Sequence, residues 1–130
     1  LGAEGVQVGT LFALTQESSA SDAFKQLCLN LKEGDTRLQL KKLAPARLVR
    51  NEFSDAVQQA EDEGASADQL RELLGRGRAK RGIFEGDLEQ GELEIGQAAS
   101  QLCGQPVKTV DEVMNDLLTA YRAALARLSL

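Results

Sequence analysis

The stretch G5-V6-Q7-V8-G9-T10-L11-F12, "GVQVGTLF", decides how the rest of the chain is read. Val6 and Val8 alternate with smaller or polar residues, which predicts a short buried strand over Gly5–Thr10. Gly9-Thr10 closes that strand, and a helical pattern follows. Strand, Gly-Thr and helix make a phosphate-binding layout. Glycine lets an anion approach the backbone, the N–H groups and the threonine hydroxyl donate to it, and a helix N-terminus nearby favours its charge. The same pattern also occurs as an ordinary turn, and the residues of this stretch alone leave both readings open.

The predicted strand also raises a difficulty. A buried strand needs neighbours to satisfy its backbone groups, and the rest of the sequence reads as mostly helical. "ESSASDAFKQLCLNLKEG" carries Phe24, Leu27, Cys28 and Leu31 on one helical stripe, with Ser19 or Ser21 as cap and Gly34 as stop. "TRLQLKK" alternates Leu38 and Leu40 with polar residues and predicts a second short strand or an extended link. Pro45 marks a boundary, and a helix is expected from about Asn51 with Phe53, Val57 and Ala60 on one side. Ser66 and Gln69 form a capping box for a helix carrying Leu70, Leu73 and Leu74 and ending at Gly75.

From Gly75 to Gly96 the sequence holds six glycines in 22 residues, which predicts a loop with turns at Glu85-Gly86-Asp87 and Gln90-Gly91. A helix is expected to restart near Leu93–Gly96 and run through Ala98, Ala99 and Leu102 to Gly104. Thr109 and Glu112 make a second capping box, and Val110, Val113, Met114, Leu117, Leu118, Tyr121, Leu125 and Leu128 continue as a helical stripe to about Arg127.

Composition bounds the function. The chain has 130 residues, 42% hydrophobic and 27% charged, with a net charge of −5. That size fits one domain. The negative charge argues against nucleic-acid or anionic-membrane binding, and no stretch approaches the length of a membrane helix. The basic run Arg76–Arg81 reads as a solvated loop face. There is no histidine, so these residues supply no imidazole base, triad or His-zinc site. Cys28 and Cys103 lack metal or redox spacing and read as small core residues in a reducing, cytoplasmic setting. Glu85 and Asp87 read as turn residues rather than a catalytic pair, and Glu17 as a charge at the start of its own helix.

Three ordered blocks carry a resemblance: "LGAEGVQVGTLFALTQES" with the "ASDAFKQ" that follows it, then "PARLVRNEF", and then "EGDLEQGELEIGQAAS". Together they span most of Leu1–Ser100, and they resemble the last-strand region and C-terminal portion of the nitronate monooxygenase (2-nitropropane dioxygenase) family, which includes flavin-type enoyl-ACP reductases. The resemblance implies an α/β fold: the C-terminal part of an FMN-binding (β/α)8 TIM barrel, with last strand 5–10 and a mostly helical region 19–130. It implies that Gly9 and Thr10 hold the FMN phosphate. Gly96 and Gln97 would lie close to the flavin, with the Gln97 amide as donor, and Ala3 and Gly5 would pack at the strand entrance. It implies a small-molecule substrate, a nitronate or an enoyl thioester, with no catalytic residue in this chain.

A whole barrel takes about 250 residues. Seven strands, a Gly-Gly turn after strand seven and the family's catalytic histidine would therefore lie in a missing N-terminal portion, and the first strand reads as orphaned for that reason. Two other readings compete: a self-sufficient helical interaction module without chemistry, and a different phosphate-binding barrel.

Overall fold

The computed structural model describes residues 2–129. Leu1 and Leu130, the ends of the domain expected above, lie outside the described residues. In chain order the elements are α1 (Thr10–Ala13), α2 (Asp22–Cys28), β1 (Thr36–Gln39), β2 (Ala46–Val49), α3 (Glu52–Asp62) and α4 (Ala67–Leu74). A wide π-type turn (Lys80–Phe84), a 3-10 turn (Gln97–Leu102) and α5 (Val110–Leu128) complete the set. This is a small α/β assembly.

The strand expected at Gly5–Thr10 is not formed here. Residues 2–9 carry no regular secondary structure, Val6 is 88% exposed, and Thr10 already opens α1. Ala3 and Gly5, expected as packing positions, are exposed as well. The reason is the one the sequence raised. A strand exists through its partners, and among the described residues the only ladder joins β1 to β2, with one further bridge from Leu48 to Glu94.

β1 and β2 are antiparallel, with Thr36 opposite Val49 and Gln39 opposite Ala46. Leu38 and Leu40 alternate with polar residues, but Leu38 is exposed and Gln39 is buried. Leu40 reaches the core because its φ of 58° breaks the alternation and rolls the side chain inward. Its N–H then donates to the Glu61 carboxylate at 3.0 Å. Burial of Gln39 is affordable because its amide is paired on both sides. Nε2 donates to the Ser54 carbonyl at 2.8 Å, and Oε1 accepts from Ser54 Oγ at 2.6 Å.

β2 was not expected. "ARLV" directs Ala46 and Leu48 to one core, with Phe53, Val57 and Leu70, and Val49 to the other, with Phe24, Cys28 and Leu93. The two-stranded sheet therefore lies between two apolar clusters.

The helix caps follow the sequence closely. Ser21 accepts from the Phe24 N–H and starts α2, which ends at Cys28 rather than at Gly34; Leu31 is buried from the loop. Asn51 caps α3 through Oδ1, while its Nδ2 donates to the carbonyls of Leu88 and Gly91, each at 2.9 Å. Ser66 and Gln69 form the full capping box of α4. Ser66→Ala is expected to cost about 1 kcal/mol, read as a lower midpoint at unchanged slope in urea unfolding.

The glycine-rich region is more ordered than a loop. Gly82, in the π-type turn, meets Gly91 so closely that a Cβ at Gly91 would lie 2.2 Å from Gly82 Cα. Arg78 of the basic run is structural: its guanidinium stands 4.4 Å over the Phe53 ring and donates to the carbonyls of Leu73, Leu74 and Gln90. The helix expected from Leu93 begins only at Gln97. Leu93 and Ile95 are instead buried beside β2, where Val49 N–H donates to Leu93 O at 2.9 Å.

α5 forms with its Thr109 capping box, but of its apolar stripe only Val113 is buried; Met114, Leu118, Tyr121, Leu125 and Leu128 are exposed. Glu17, expected at the start of its own helix, instead accepts from the Val110 N–H at 2.9 Å and caps α5.

Candidate functional site

The opening stretch and the third sequence block meet in space. Thr10 Oγ1 accepts from the Gly96 N–H at 3.1 Å across 86 residues of chain. The contact depends on glycine: a Cβ at Gly96 would stand 2.3 Å from that oxygen. Thr10 gets there through α1, where the Gly9 carbonyl accepts from Phe12 and Ala13. Gly96 gets there through the extended run Leu93–Ile95 held against β2.

With its lone pair engaged by Gly96, the Thr10 hydroxyl keeps its proton, which has no acceptor among the described residues. It lines an open hollow of about 400 Å³ together with Gly9, Ala13, Arg47, Glu94, Ile95 and Gly96. A Cβ at Gly9 would meet nothing within 4 Å, so its backbone faces open space.

Gln97 does not share this hollow. It is exposed and lines a larger neighbouring one, about 770 Å³, on the other side of Arg47. The structure therefore brings together Gly9, Thr10 and Gly96 of the expected set and places Gln97 next door. Arg47 lines both hollows and was missed. Its signal was its position between the buried Ala46 and Leu48: had "ARLV" been read as a strand, alternation would have turned Arg47 away from that core.

The charges around the site have local causes. Burial pushes the Glu92 carboxyl up and the neighbouring Glu94 charge adds to it, while Arg78 opposes both. Asp87 is held below the usual carboxylate range first by the Gln90 N–H and then by Arg81, whose guanidinium it also bonds. Asp87 is thus a turn residue, as read from the sequence.

A depressed folded-state pKa means stability that is present above the unfolded carboxylate range, about pH 4, and lost as pH falls through the folded value. Asp87→Asn is expected to flatten the acid limb of the unfolding midpoint plotted against pH, leaving the neutral limb parallel to the unsubstituted protein. Identical acid limbs would remove Asp87 from the account.

Burial also pushes the Cys28 thiol up to about 12, so it is a core group and not a nucleophile. Cys103, expected in the core, is exposed at the end of the 3-10 turn, and both thiols are free. Among the described residues, no helix is long and apolar enough to cross a membrane.

A family model described as nitronate monooxygenase matches residues 1–120. The probable nitronate monooxygenase of Staphylococcus saprophyticus is 33% identical over 124 residues, covering 88% of this chain and 35% of that protein. Its counterpart in Staphylococcus haemolyticus is 34% identical over 127 residues, covering 94% and 35%. Among solved structures, FabK from Thermotoga maritima superposes with a TM-score of 0.85 at 33% identity, over 98% of this chain and 40% of that one. The chain spans about a third of the length of the curated relatives it matches.

Proposed function

The chain belongs to the nitronate monooxygenase family, and on that premise we propose that it is the C-terminal part of a cytoplasmic, FMN-dependent oxidoreductase built on a (β/α)8 barrel. Segment 5–10 is then the last barrel strand, which takes its neighbours from the upstream part of the enzyme. The observation that carries the reading is the hydrogen bond from Gly96 to Thr10, which joins two of the resembling blocks at one hollow.

The residues fit one end of such a cofactor. Thr10 offers an unengaged hydroxyl proton, Gly9 an uncovered backbone, and Gly96 the N–H and the bare Cα that let the Thr10 oxygen sit against it. Thr10 and the Gly9–Thr10 amides would donate to the phosphate, Gly96 would lie close to the flavin while its N–H holds the Thr10 oxygen in place, and the Gln97 amide would donate to cofactor or substrate. Bound FMN would supply the electron transfer; these residues hold and orient it. Proton transfer falls to the upstream histidine that the family pattern places outside these residues. The exposed apolar stripe of α5 supports a part of a larger body over a self-sufficient helical module.

The substrate of the first reading is an alkyl nitronate, oxidised with oxygen. A second reading, a flavin-dependent enoyl-ACP reductase acting on an enoyl thioester, is favoured by the likeness to FabK. Purification of the full-length protein tests both. FMN is expected in its absorbance spectrum and in the denatured supernatant. Oxygen consumption with an alkyl nitronate marks the first reading, and nicotinamide-dependent reduction of an enoyl thioester marks the second. A full-length protein that takes up no FMN ends both. The 130 residues expressed alone are expected to lose FMN on gel filtration, because part of a phosphate cradle does not offset the cost of ordering the ligand.

A further inference from the structure

The hollow on the far side of Arg47 has a charge that runs against the rest of the chain. The chain carries −5 overall, yet the hollow is lined by Lys32 and Arg47 with Glu33 as its one carboxylate, and by the polar side chains of Thr36, Gln97 and Gln101. Its volume of about 770 Å³ lies within the range of small-molecule sites. We propose that this hollow binds the phosphate or diphosphate of a second ligand, substrate or electron donor, beside the cofactor hollow. The proposal rests on the reading above for the cofactor's place.

Arg47 is set for the task. Its backbone is fixed opposite Leu38 in the β1–β2 ladder, and its carbonyl accepts from the Ile95 N–H at 3.3 Å. Nη1 donates to Thr36 Oγ1 at 3.3 Å, which orients the guanidinium and leaves its other N–H groups unbonded among the described residues. An oriented fork of this kind matches a phosphate in two-point fashion. Lys32 stands on a turn that is itself closed: its N–H donates to Asp35 Oδ2 at 2.7 Å, and Gly34 takes a φ of 87°. Asp35 is thereby occupied with backbone, and neither Lys32 nor Arg47 forms an ion pair among the described residues.

Position links the two hollows. Arg47 lines both, and Gln97 in the second directly follows Gly96 in the first. A ligand anchored here by its anionic group lies beside the place assigned to the cofactor, with Arg47 common to both. A dinucleotide donor and a phosphopantetheine-bearing thioester share this chemistry; a simple alkyl nitronate lacks it.

The test uses the full-length enzyme loaded with FMN and titrated calorimetrically with inorganic pyrophosphate, while the flavin spectrum reports cofactor retention. Binding is expected, weakened at least about 10-fold by Lys32→Gln and by Arg47→Met, in keeping with the loss of one charged hydrogen bond. Arg47→Lys is expected to fall between, and Lys80→Gln, on a surface pair with Glu85, to leave binding unchanged. ADP and 4′-phosphopantetheine then separate the two sources, the tighter Lys32-dependent binder naming the ligand class. Absence of pyrophosphate binding, binding indifferent to Lys32, or binding only as FMN is expelled would overturn the proposal. An enzyme that lacks FMN yet binds pyrophosphate through Lys32 counts against the cofactor reading and for the hollow.

Discussion

Gly91→Ala is expected to destabilise the protein by on the order of 3 kcal/mol or more, at or beyond the upper end of ordinary overpacking. The Cβ it adds would stand 2.2 Å from Gly82 Cα, 2.7 Å from Gly82 N and 2.4 Å from the Asp87 carbonyl. All three are backbone atoms, so no rotamer change relieves them. The π-type turn and the 87–91 turn must separate instead. That separation also withdraws the Gly91 carbonyl from Asn51, which caps α3.

Gly82→Ala probes the same crossing from the other side and is expected to cost less. Its nearest contact, at 2.6 Å, is Leu93 Cδ2, the free end of a side chain, and its backbone contacts are at 3.0 Å. Combining it with Leu93→Ala should recover part of the Gly82→Ala loss relative to Leu93→Ala alone. Contacting residues couple in this way, whereas distant ones add. Urea unfolding of the four variants reads the series. A Gly91→Ala protein within about 0.5 kcal/mol of its parent, the range of an ordinary surface substitution, would mean that the two turns do not cross as described.

These glycines show how far the sequence could be read. Six in one stretch predicted a loop, yet Lys80–Phe84 winds into a π-type turn with Gly82 inside it; the turn chemistry of Asp87 was legible because a side-chain acceptor three residues before a free N–H is a local matter. The capping boxes at Ser66 and Thr109 were legible for the same reason. What the sequence hid was contact between distant segments. Glycine by glycine, nothing in the sequence separates Gly91, forbidden a Cβ by another backbone, from Gly77, whose Cβ would meet nothing within 4 Å.

Glu17 has the composition of a helix-start charge, and it is one, but for a helix 93 positions away. The Leu38/Leu40 alternation failed because one residue with positive φ outweighs a two-residue period. The strand at 5–10 is not formed among the described residues because period records a side-chain preference, while a strand is a relation to neighbours that these residues do not contain. In the candidate site, Thr10 and Gly96 were named by resemblance, and the structure brings them into contact. Arg47 was not, since a lone arginine in an unrecognised strand carries no signature until the ladder sets its direction.

In the full-length enzyme, Thr10→Ala is expected to weaken FMN binding by roughly 10- to 100-fold, the loss of one hydrogen bond to a charged group. Gly96→Ala should do at least as much without removing a polar atom. Its Cβ would fall 2.3 Å from Thr10 Oγ1 while staying 3.6 Å from Thr10 Cβ. The threonine backbone can therefore remain, but the hydroxyl must swing out of the hollow. The two substitutions act through one oxygen, and that fixes their combination. Once Thr10→Ala has removed the oxygen, the alanine methyl at 96 has room, so the double variant should bind FMN about as well as Thr10→Ala alone rather than at the product of the two losses. Fluorescence titration of the apoenzymes measures all four affinities, with far-ultraviolet circular dichroism confirming that each is folded. Full additivity would show that the Gly96 methyl disturbs something other than the threonine hydroxyl, and the phosphate role would pass from Thr10 to the backbone around it.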